Sequence, residues 1–397
     1  MSDPALTIPG LYWQIHRLAQ TPLDHAGRPA FIGVVPDAGD GEPVLVEGWA
    51  RYRDRFGGVD AASPAAARSF HLAVRGFFAN GGARCRIVPV EGALTASALA
   101  AALARLEDEE DTSLVVAPGV VDPALQAAIV THCEALGDRF AVLDLPEPDA
   151  LNAVAAADAA IAHAEWLWRA ADGRHAALYG PWLKVVAFDG TAFVPPSGHV
   201  AGVYARVDAR SGPHHAPANE VVEDAVDLRF DFDVPTIARL HPPLALDETG
   251  RLAAPSVNVI RVLPGRGMRV WGARTLSGDP TWRHVPVRRL TLDLERWMTR
   301  RLDAMVFETN DPLLRTRVIR ELGAHLDALY QKGALVGPIS EMSWFVQCDE
   351  TNNPEDVREA GLLIADVGIA PAVPGEYITL RLITRSGTDA QTEMLTR

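Results

Sequence analysis

The sequence predicts an α/β unit followed by an α+β unit, with an extended arm at each end of the chain. Three observations carry this prediction. Candidate strands alternate with helices of about 10 to 20 residues over 29–254, which is typical of a largely parallel sheet covered by helices. Hairpin-like strands and paired helices follow over 255–384. Residues 1–28 lack a clear period, and residues 385–397 are polar.

The N-terminal arm is predicted from four prolines and two glycines that interrupt any regular pattern within residues 1–29. It contains one candidate strand, formed by Leu11, Tyr12, Trp13, Gln14 and Ile15. The C-terminal arm, 385–397, is predicted from its polar composition and its position at the end of the chain.

The α/β unit is predicted element by element from apolar period and from stop signals. Apolar runs indicate strands at 30–35, 84–90, 113–117 and 140–145. Helical spacing indicates helices at 49–56, 64–80, 95–106, 123–136, 150–171 and 199–206. The first two helices are ended by the glycine pairs Gly57-Gly58 and Gly81-Gly82. Ser197 is predicted to cap the last one.

A second unit is predicted to begin near Pro255. Its strands are expected at 257–263, 268–275, 342–347, 362–367 and 377–384, and its helices at 291–305, 312–332 and 354–359. The turn Pro264-Gly265-Arg266-Gly267 is expected to join the first two strands as a hairpin.

Composition narrows the class of protein. The 397 residues carry a net charge of −14, which argues against a nucleic-acid-binding surface, and identical copies of the chain should repel one another mildly. No transmembrane helix and no secretory signal are predicted. Three scattered cysteines indicate neither a disulfide framework nor a zinc site, and are expected in a reducing cytoplasm.

Catalytic patterns are weak throughout. There is no P-loop and no HExxH sequence, and His214-His215 would point to opposite faces of a strand, so no metal and no cofactor are predicted. Ser197 and His199 allow a nucleophile–base pair, although no GxSxG surrounds the serine. Asp231 and Asp233 alternate with apolar residues and are interpreted as the solvent face of a strand.

Ten segments, taken in order, resemble the contractile tail sheath proteins of myophages, phage-tail-like bacteriocins and extracellular injection systems. The most specific are VPPSGHVAGVYARVD at 194–208 and APANE at 216–220. NVIRVLPGRGMRVWGARTLS at 258–277 and SWFVQCDETNNPEDVREAG at 343–361 are similar to segments of the family's C-terminal part. The resemblance covers the chain from near residue 9 to about residue 382.

The resemblance implies a structural subunit that polymerises helically around an inner tube and contracts to drive that tube through a target membrane. It implies neither catalysis nor a cofactor. The implied partners are further copies of the chain, the inner tube protein, and baseplate and terminal cap proteins, with no nucleic acid and no membrane insertion. Assembly in the bacterial cytoplasm would precede incorporation into a phage tail or an injection particle.

Two sets of contact residues follow from the resemblance. Strand exchange between subunits is expected at Leu11, Tyr12, Trp13, Gln14, Ile15, Ile378, Thr379, Leu380, Arg381 and Leu382. Contact with the tube is expected on the helix at 354–359 or the helix at 312–332, with candidates Glu355, Arg358, Glu359, Arg315, Arg320 and Lys332. A solvated face remains the simpler interpretation of either helix.

Two alternatives stay open at this point. One is a sheath-like component that does not contract, and the other is an α/β hydrolase-type enzyme with a pocket near Ser197 and His199.

Overall fold

The computed structural model describes residues 28–58, 63–147, 152–303, 305, 308–372, 378–385 and 388–395, with side chains up to residue 372. The described strands are β1 (Pro29–Val34), β2 (Val44–Glu47), β3 (Arg84–Val90), β4 (Leu114–Val116), β5 (Phe140–Asp144), β6 (Ala176–Gly180), β7 (Leu183–Ala187), β8 (Gly190–Val194), β9 (Asp227–Leu228), β10 (Asn258–Leu263), β11 (Gly267–Trp271), β12 (Trp344–Gln347), β13 (Leu362–Ile369), β14 (Ile378–Arg385) and β15 (Thr388–Leu395).

The helices in the same part of the chain are α1 (Trp49–Phe56), α2 (Ala65–Ala79), α3 (Ala96–Ala104), α4 (Pro123–Leu136), α5 (Ala153–Ala170), α6 (Ser197–Ser211), α7 (Val234–Leu240), α8 (Val285–Asp303), α9 (Pro312–Gln331) and α10 (Glu355–Glu359). None of the described helices is both long enough and apolar enough to cross a membrane.

An eight-stranded sheet organises the first part of the fold, with strand order β11-β10-β6-β5-β4-β1-β3-β2. Its six inner strands run parallel, and an antiparallel strand closes each edge. The mixed α/β class predicted from the sequence is confirmed. From the sequence, the two strands that follow residue 255 are expected in a second unit. In the structure these strands are β10 and β11, and they extend the eight-stranded sheet from β6.

Helices cover both faces of the sheet and bury two apolar clusters. On one face, α6 packs directly against α2 because both helices carry glycines at the contact. A Cβ on Gly198 would lie 2.3 Å from the carbonyl oxygen of Ala73, and one on Gly202 would lie 2.4 Å from that of Phe77. The helix backbones therefore approach more closely than any side chain would allow.

A third apolar cluster belongs to α8, α9 and a four-stranded antiparallel sheet of order β12-β13-β14-β15. It includes Met298 of α8, Val318 of α9 and Val367 of β13, each fully buried. The segment 388–395, predicted as part of an arm, is strand β15 and pairs with β14 of the same chain. A small sheet of order β8-β7-β9 is inserted in sequence between β6 and β10 of the large sheet.

Several predicted elements agree with the structure residue for residue, namely those at 49–56, 84–90 and 123–136. The predicted hairpin turn at residues 264–267 is also confirmed, since β10 and β11 pair antiparallel on either side of it.

Two local predictions are wrong. Asp233 is the N-cap of α7, where its carboxylate accepts a hydrogen bond from the Thr236 backbone N–H at 2.9 Å, and Asp231 lies in the loop before it rather than on a strand. Ser197 is the first residue of α6 and does not cap that helix through its side chain.

Candidate assembly surfaces

The first residues of α6 lie at the carboxyl ends of β4 and β5. Chain order reverses next to these strands, between β1 and β4, and ligands of open α/β sheets usually bind outside the carboxyl ends of the strands at such a reversal. Asp144, at the end of β5, accepts hydrogen bonds from the Ser197 N–H and hydroxyl, both at 2.7 Å, and from the Gly119 N–H at 3.1 Å.

Asp144 is the group that caps α6. Its burial raises the pKa of the carboxyl group to about 7, while the hydrogen bonds from Ser197 and Gly119 oppose this shift. A carboxylate at a helix N-terminus also interacts favourably with the helix dipole. The residue therefore fixes the position of the long helix α6 against the sheet.

Ser197 and His199 do not form the nucleophile–base pair that the sequence allowed. Both side chains are fully buried, and the Ser197 hydroxyl donates to Asp144 instead. The His199 ring packs over Gly76, where a Cβ would lie 2.2 Å from it. Burial lowers the pKa of this histidine to about 4, so the ring is neutral at physiological pH.

The other candidates for chemistry are also accounted for by packing. His214 and His215 lie in a turn rather than on a strand, and their rings contact each other with centroids 4.4 Å apart. Among the described residues, no group of three or more histidines, cysteines or carboxylates is arranged to hold a metal ion. A cavity of about 300 Å³ lies between α2 and the β7–β8 hairpin, and Arg68 and Asp189 approach to 3.9 Å at its wall.

The candidate tube-contact residues divide by exposure. Glu355, Arg358 and Glu359 of α10 are exposed, and so are Arg320 of α9 and Lys332 just after it. Arg315 is 4% exposed, and its guanidinium donates to the Asn310 side-chain oxygen at 3.0 Å. Arg315 is therefore structural in this conformation and is not available for surface contact.

Asn353 positions α10 by tying the chain just before this helix to the four-stranded sheet. The helix begins after Pro354 without a side-chain cap. The buried Asn353 amide instead bonds the backbone N–H and carbonyl of Ile364 in β13, each at 2.8 Å, and the carbonyl of Asp349 at 3.1 Å. This ties the α10 loop to the four-stranded sheet.

The strand-exchange candidates lie in two places. Leu11 to Ile15 fall outside the described residues. Ile378 to Leu382 form the first half of β14, which pairs with β13 on one side and β15 on the other in the same chain. The edges of this sheet are β12 and β15, and an edge strand is where a strand from another chain can add.

A row of arginines on α8 was missed by the sequence reasoning. Arg289 forms a bidentate ion pair with Asp208 of α6, and these side chains are 4% and 1% exposed. Arg296 lies seven residues after Arg289 on the same helix. Its guanidinium donates to the backbone carbonyls of Thr112 and Asp138. The spacing of arginines in VPVRRLTLDLERWMTRRLD was the available signal. Because α8 also contributes to the third apolar cluster, it joins the two parts of the fold.

Comparison with known proteins finds similarity to tail sheath proteins over the central part of the sequence. The model of the phage tail sheath protein central domain matches residues 92–276. The tail sheath protein of Vibrio phage KVP40 is 29% identical over 210 residues, which are 51% of this chain and 28% of that protein. That of Enterobacteria phage T4 is 26% identical over 231 residues, which are 56% and 31%. The chain thus matches about a third of the length of these curated relatives.

Solved structures extend the likeness to nearly the whole chain. A chain of the contracted PVC sheath complex, an extracellular contractile injection system, is 27% identical with a TM-score of 0.71, and the match covers 94% of this chain and 96% of that one. A chain of the contracted helical sheath of the anti-feeding prophage is 27% identical with a TM-score of 0.68, covering 93% and 97%. The chain is therefore similar, over nearly its whole length, to subunits of contractile sheaths, and over its central part to phage tail sheath proteins.

Proposed function

We propose that the protein is the structural subunit of a contractile sheath, which polymerises helically around an inner tube and contracts to drive that tube through a target membrane. The observation that carries this proposal is the likeness, over nearly the whole chain, to subunits of sheaths in the contracted state. The role requires no catalytic chemistry, and the Ser197 hydroxyl is engaged by Asp144 rather than by His199.

Strand exchange between copies would hold such a polymer together. The proposed elements are Leu11 to Ile15, which would add at an edge of the four-stranded sheet of a neighbouring copy, and Ile378 to Leu382, which would exchange their pairing with β13 of the same chain for the same pairing in a neighbour. A strand of about five residues adds about five backbone hydrogen bonds of roughly 1 kcal/mol each, or a few kcal/mol per arm. Because such a contact joins different surfaces of two copies, it builds an open helix rather than a closed dimer.

We assign two units to the subunit, with an outer α/β unit and an inner α+β unit. Since β10 and β11 belong to the large sheet, the division falls after β11 rather than near residue 255. The inner unit then comprises α8, α9, α10 and the four-stranded sheet. We propose α10, with Glu355, Arg358 and Glu359, as the contact with the tube, and α9, with Arg320 and the following Lys332, is the competing candidate.

The partners follow from this role. Further copies form the sheath, the inner tube lies inside it, and baseplate and cap proteins meet its ends. Rigid-body rotation of subunits between two packing arrangements would supply the contraction, without a bound nucleotide. Assembly is proposed to take place in the bacterial cytoplasm, before incorporation into a phage tail or an injection particle.

A truncation series tests the proposal. The purified chain, a variant lacking residues 1–20 and a variant lacking residues 386–397 are compared by pelleting and negative-stain electron microscopy. Striated tubes from the full chain and dispersed subunits from both truncations are expected. Tubes from all three would remove the arms from the proposal but leave the sheath. Discrete small oligomers from the full chain at every salt and protein concentration would contradict the proposed function.

A further inference from the structure

The hairpin formed by β10 and β11 is a basic surface on an acidic protein. From Thr249 to Gly278 the chain has five arginines and no carboxylate, although its net charge is −14. Three of these arginines, Arg261, Arg266 and Arg269, belong to the hairpin itself. The positive charge of this segment is therefore concentrated on the β10–β11 hairpin.

The hairpin projects beyond the carboxyl end of the large sheet. β6 ends at Gly180, which pairs with Val259, so the residues of β10 from Ile260 onward continue past their neighbour. Four residues of strand extend about 13 Å at 3.3 Å per residue. One face of the projecting part is buried through Ile260, Met268 and Val270. The arginines lie on the other face or in the turn.

No carboxylate neutralises these arginines among the described residues. Arg261 and Arg269 are paired directly across the two strands, an arrangement of like charges that destabilises a sheet. Arg266 donates to the side-chain oxygen of Asn219 at 2.7 Å, and Arg269 donates to the backbone oxygen of the same residue. The adjacent Glu220 is already bound by Arg210 at 2.5 Å.

The opposite end of the sheet carries an acidic run. Residues 107–111 connect α3 to β4 and therefore lie at the amino end of the parallel strands. Glu107, Asp108 and Glu110 are exposed, and the Glu110 side chain is 83% exposed. A basic surface at one end and an acidic surface at the other suit a head-to-tail arrangement of identical copies.

We infer that the β10–β11 hairpin of one copy docks against residues 107–110 of the next copy, through Arg266 and Arg269 on one side and Glu107 and Asp108 on the other. The inference rests on the proposed function, because it takes a second copy as the partner. The contact gives net-acidic subunits a local attraction, and it fixes which end of one copy meets which end of the next.

Charge reversal tests the contact. The hairpin variant Arg266→Glu/Arg269→Glu and the acidic-run variant Glu107→Lys/Asp108→Lys are each expected to reduce pelletable polymer at least tenfold at low salt. Combining all four substitutions in one chain restores opposite charges at the contact and keeps the net charge at −14. An equimolar mixture of the two variants should also assemble, as an alternating polymer.

A matched control separates local contact from net charge. Arg51→Glu/Arg53→Glu on α1 changes the charge by the same amount at two exposed arginines away from the hairpin, and it should leave assembly unchanged. Circular dichroism melts verify that each variant is folded. Wild-type levels of assembly by both the hairpin variant and the acidic-run variant would overturn the inference. It would also be overturned if both variants are folded and fail to assemble, and neither their mixture nor the chain with all four substitutions recovers assembly.

Cross-linking keeps this result separate from the proposed function. Copies carrying Arg266→Cys are mixed with copies carrying Asp108→Cys and treated with a short bismaleimide. Dimers containing one copy of each are expected whether or not long tubes form. Cross-linked pairs without tubes would support the contact and count against the sheath, while tubes without cross-linked pairs would support the sheath and refute the contact.

Discussion

The ion pair between Arg289 of α8 and Asp208 of α6 is predicted to stabilise the packing of α8 against the α/β part of the fold. The two side chains are almost fully buried, and one of their two hydrogen bonds measures 2.8 Å. The Arg289 guanidinium also lies 4.6 Å from the ring centroid of Tyr204. Removing either partner leaves a buried charge without compensation.

The expected change in the free energy of unfolding depends on whether one partner of the buried ion pair is replaced or both are. Asp208→Leu or Arg289→Met alone should lower the free energy of unfolding by about 3–5 kcal/mol, because the remaining ion stays out of water. The double variant should lie within about 1–2 kcal/mol of the wild type, since neither charge is then buried. The two single effects should therefore be strongly non-additive.

Urea denaturation followed by circular dichroism measures these free energies for all four proteins of the cycle. The exposed pair of Arg301 and Glu321, 2.6 Å apart, supplies the control, and Arg301→Met should cost less than about 1 kcal/mol. Single-variant losses below about 1 kcal/mol at the buried pair, or losses that add in the double variant, would refute the reasoning.

Three further predictions concern the packing and titration of single residues. Gly198→Ala should destabilise the fold by about 1–3 kcal/mol or more in a thermal melt, since its Cβ would meet the Ala73 carbonyl; unchanged melting would contradict the close α2–α6 contact. Asn353→Ala should cost about 1–3 kcal/mol per orphaned backbone group and speed amide exchange in α10, which hydrogen exchange measures, whereas unchanged protection would refute its role. Burial lowers the pKa of His325 to about 4, so its contribution to stability is present above about pH 6.5 and is lost as the pH falls towards 4. His325→Phe should keep the stack on Trp297 and make the acid-induced loss shallower, and an unchanged pH profile would exclude this titration.

The sequence predicted elements best where local chemistry decides them. α4 begins with Pro123 and ends at Gly137, which adopts a positive φ of 69°, and both signals are readable without the fold. The start of α8, at Val285, was placed six residues late. Strands β6, β7 and β8 were not predicted.

Long-range pairing explains the remaining differences. The assignment of β10 to the large sheet depends on two backbone pairs with β6, which lies nearly eighty residues earlier in the chain. Asp144 caps α6 by accepting a hydrogen bond from Ser197, which lies 53 residues later in the chain. Sequence spacing carries no information about such pairs, so Ser197 was assigned the role that Asp144 performs.

Surface roles were the hardest to predict, because amphipathic spacing does not distinguish a solvated arginine from a buried one. Arg315 and Arg320 lie on the same helix and resemble each other in sequence, yet the first is buried against Asn310 and the second is exposed. The strand-exchange residues stay predictions, since pairing with another copy is a property of the polymer.

Cryo-electron microscopy with helical reconstruction of the assembly formed by the purified chain tests the central claim most directly. We expect a hollow tube in which every subunit makes the same head-to-tail contacts, with α10 on the inner wall and strands exchanged at the edges of the four-stranded sheet. A closed ring or dimer as the largest assembly, or a tube with α10 facing outward, would contradict it.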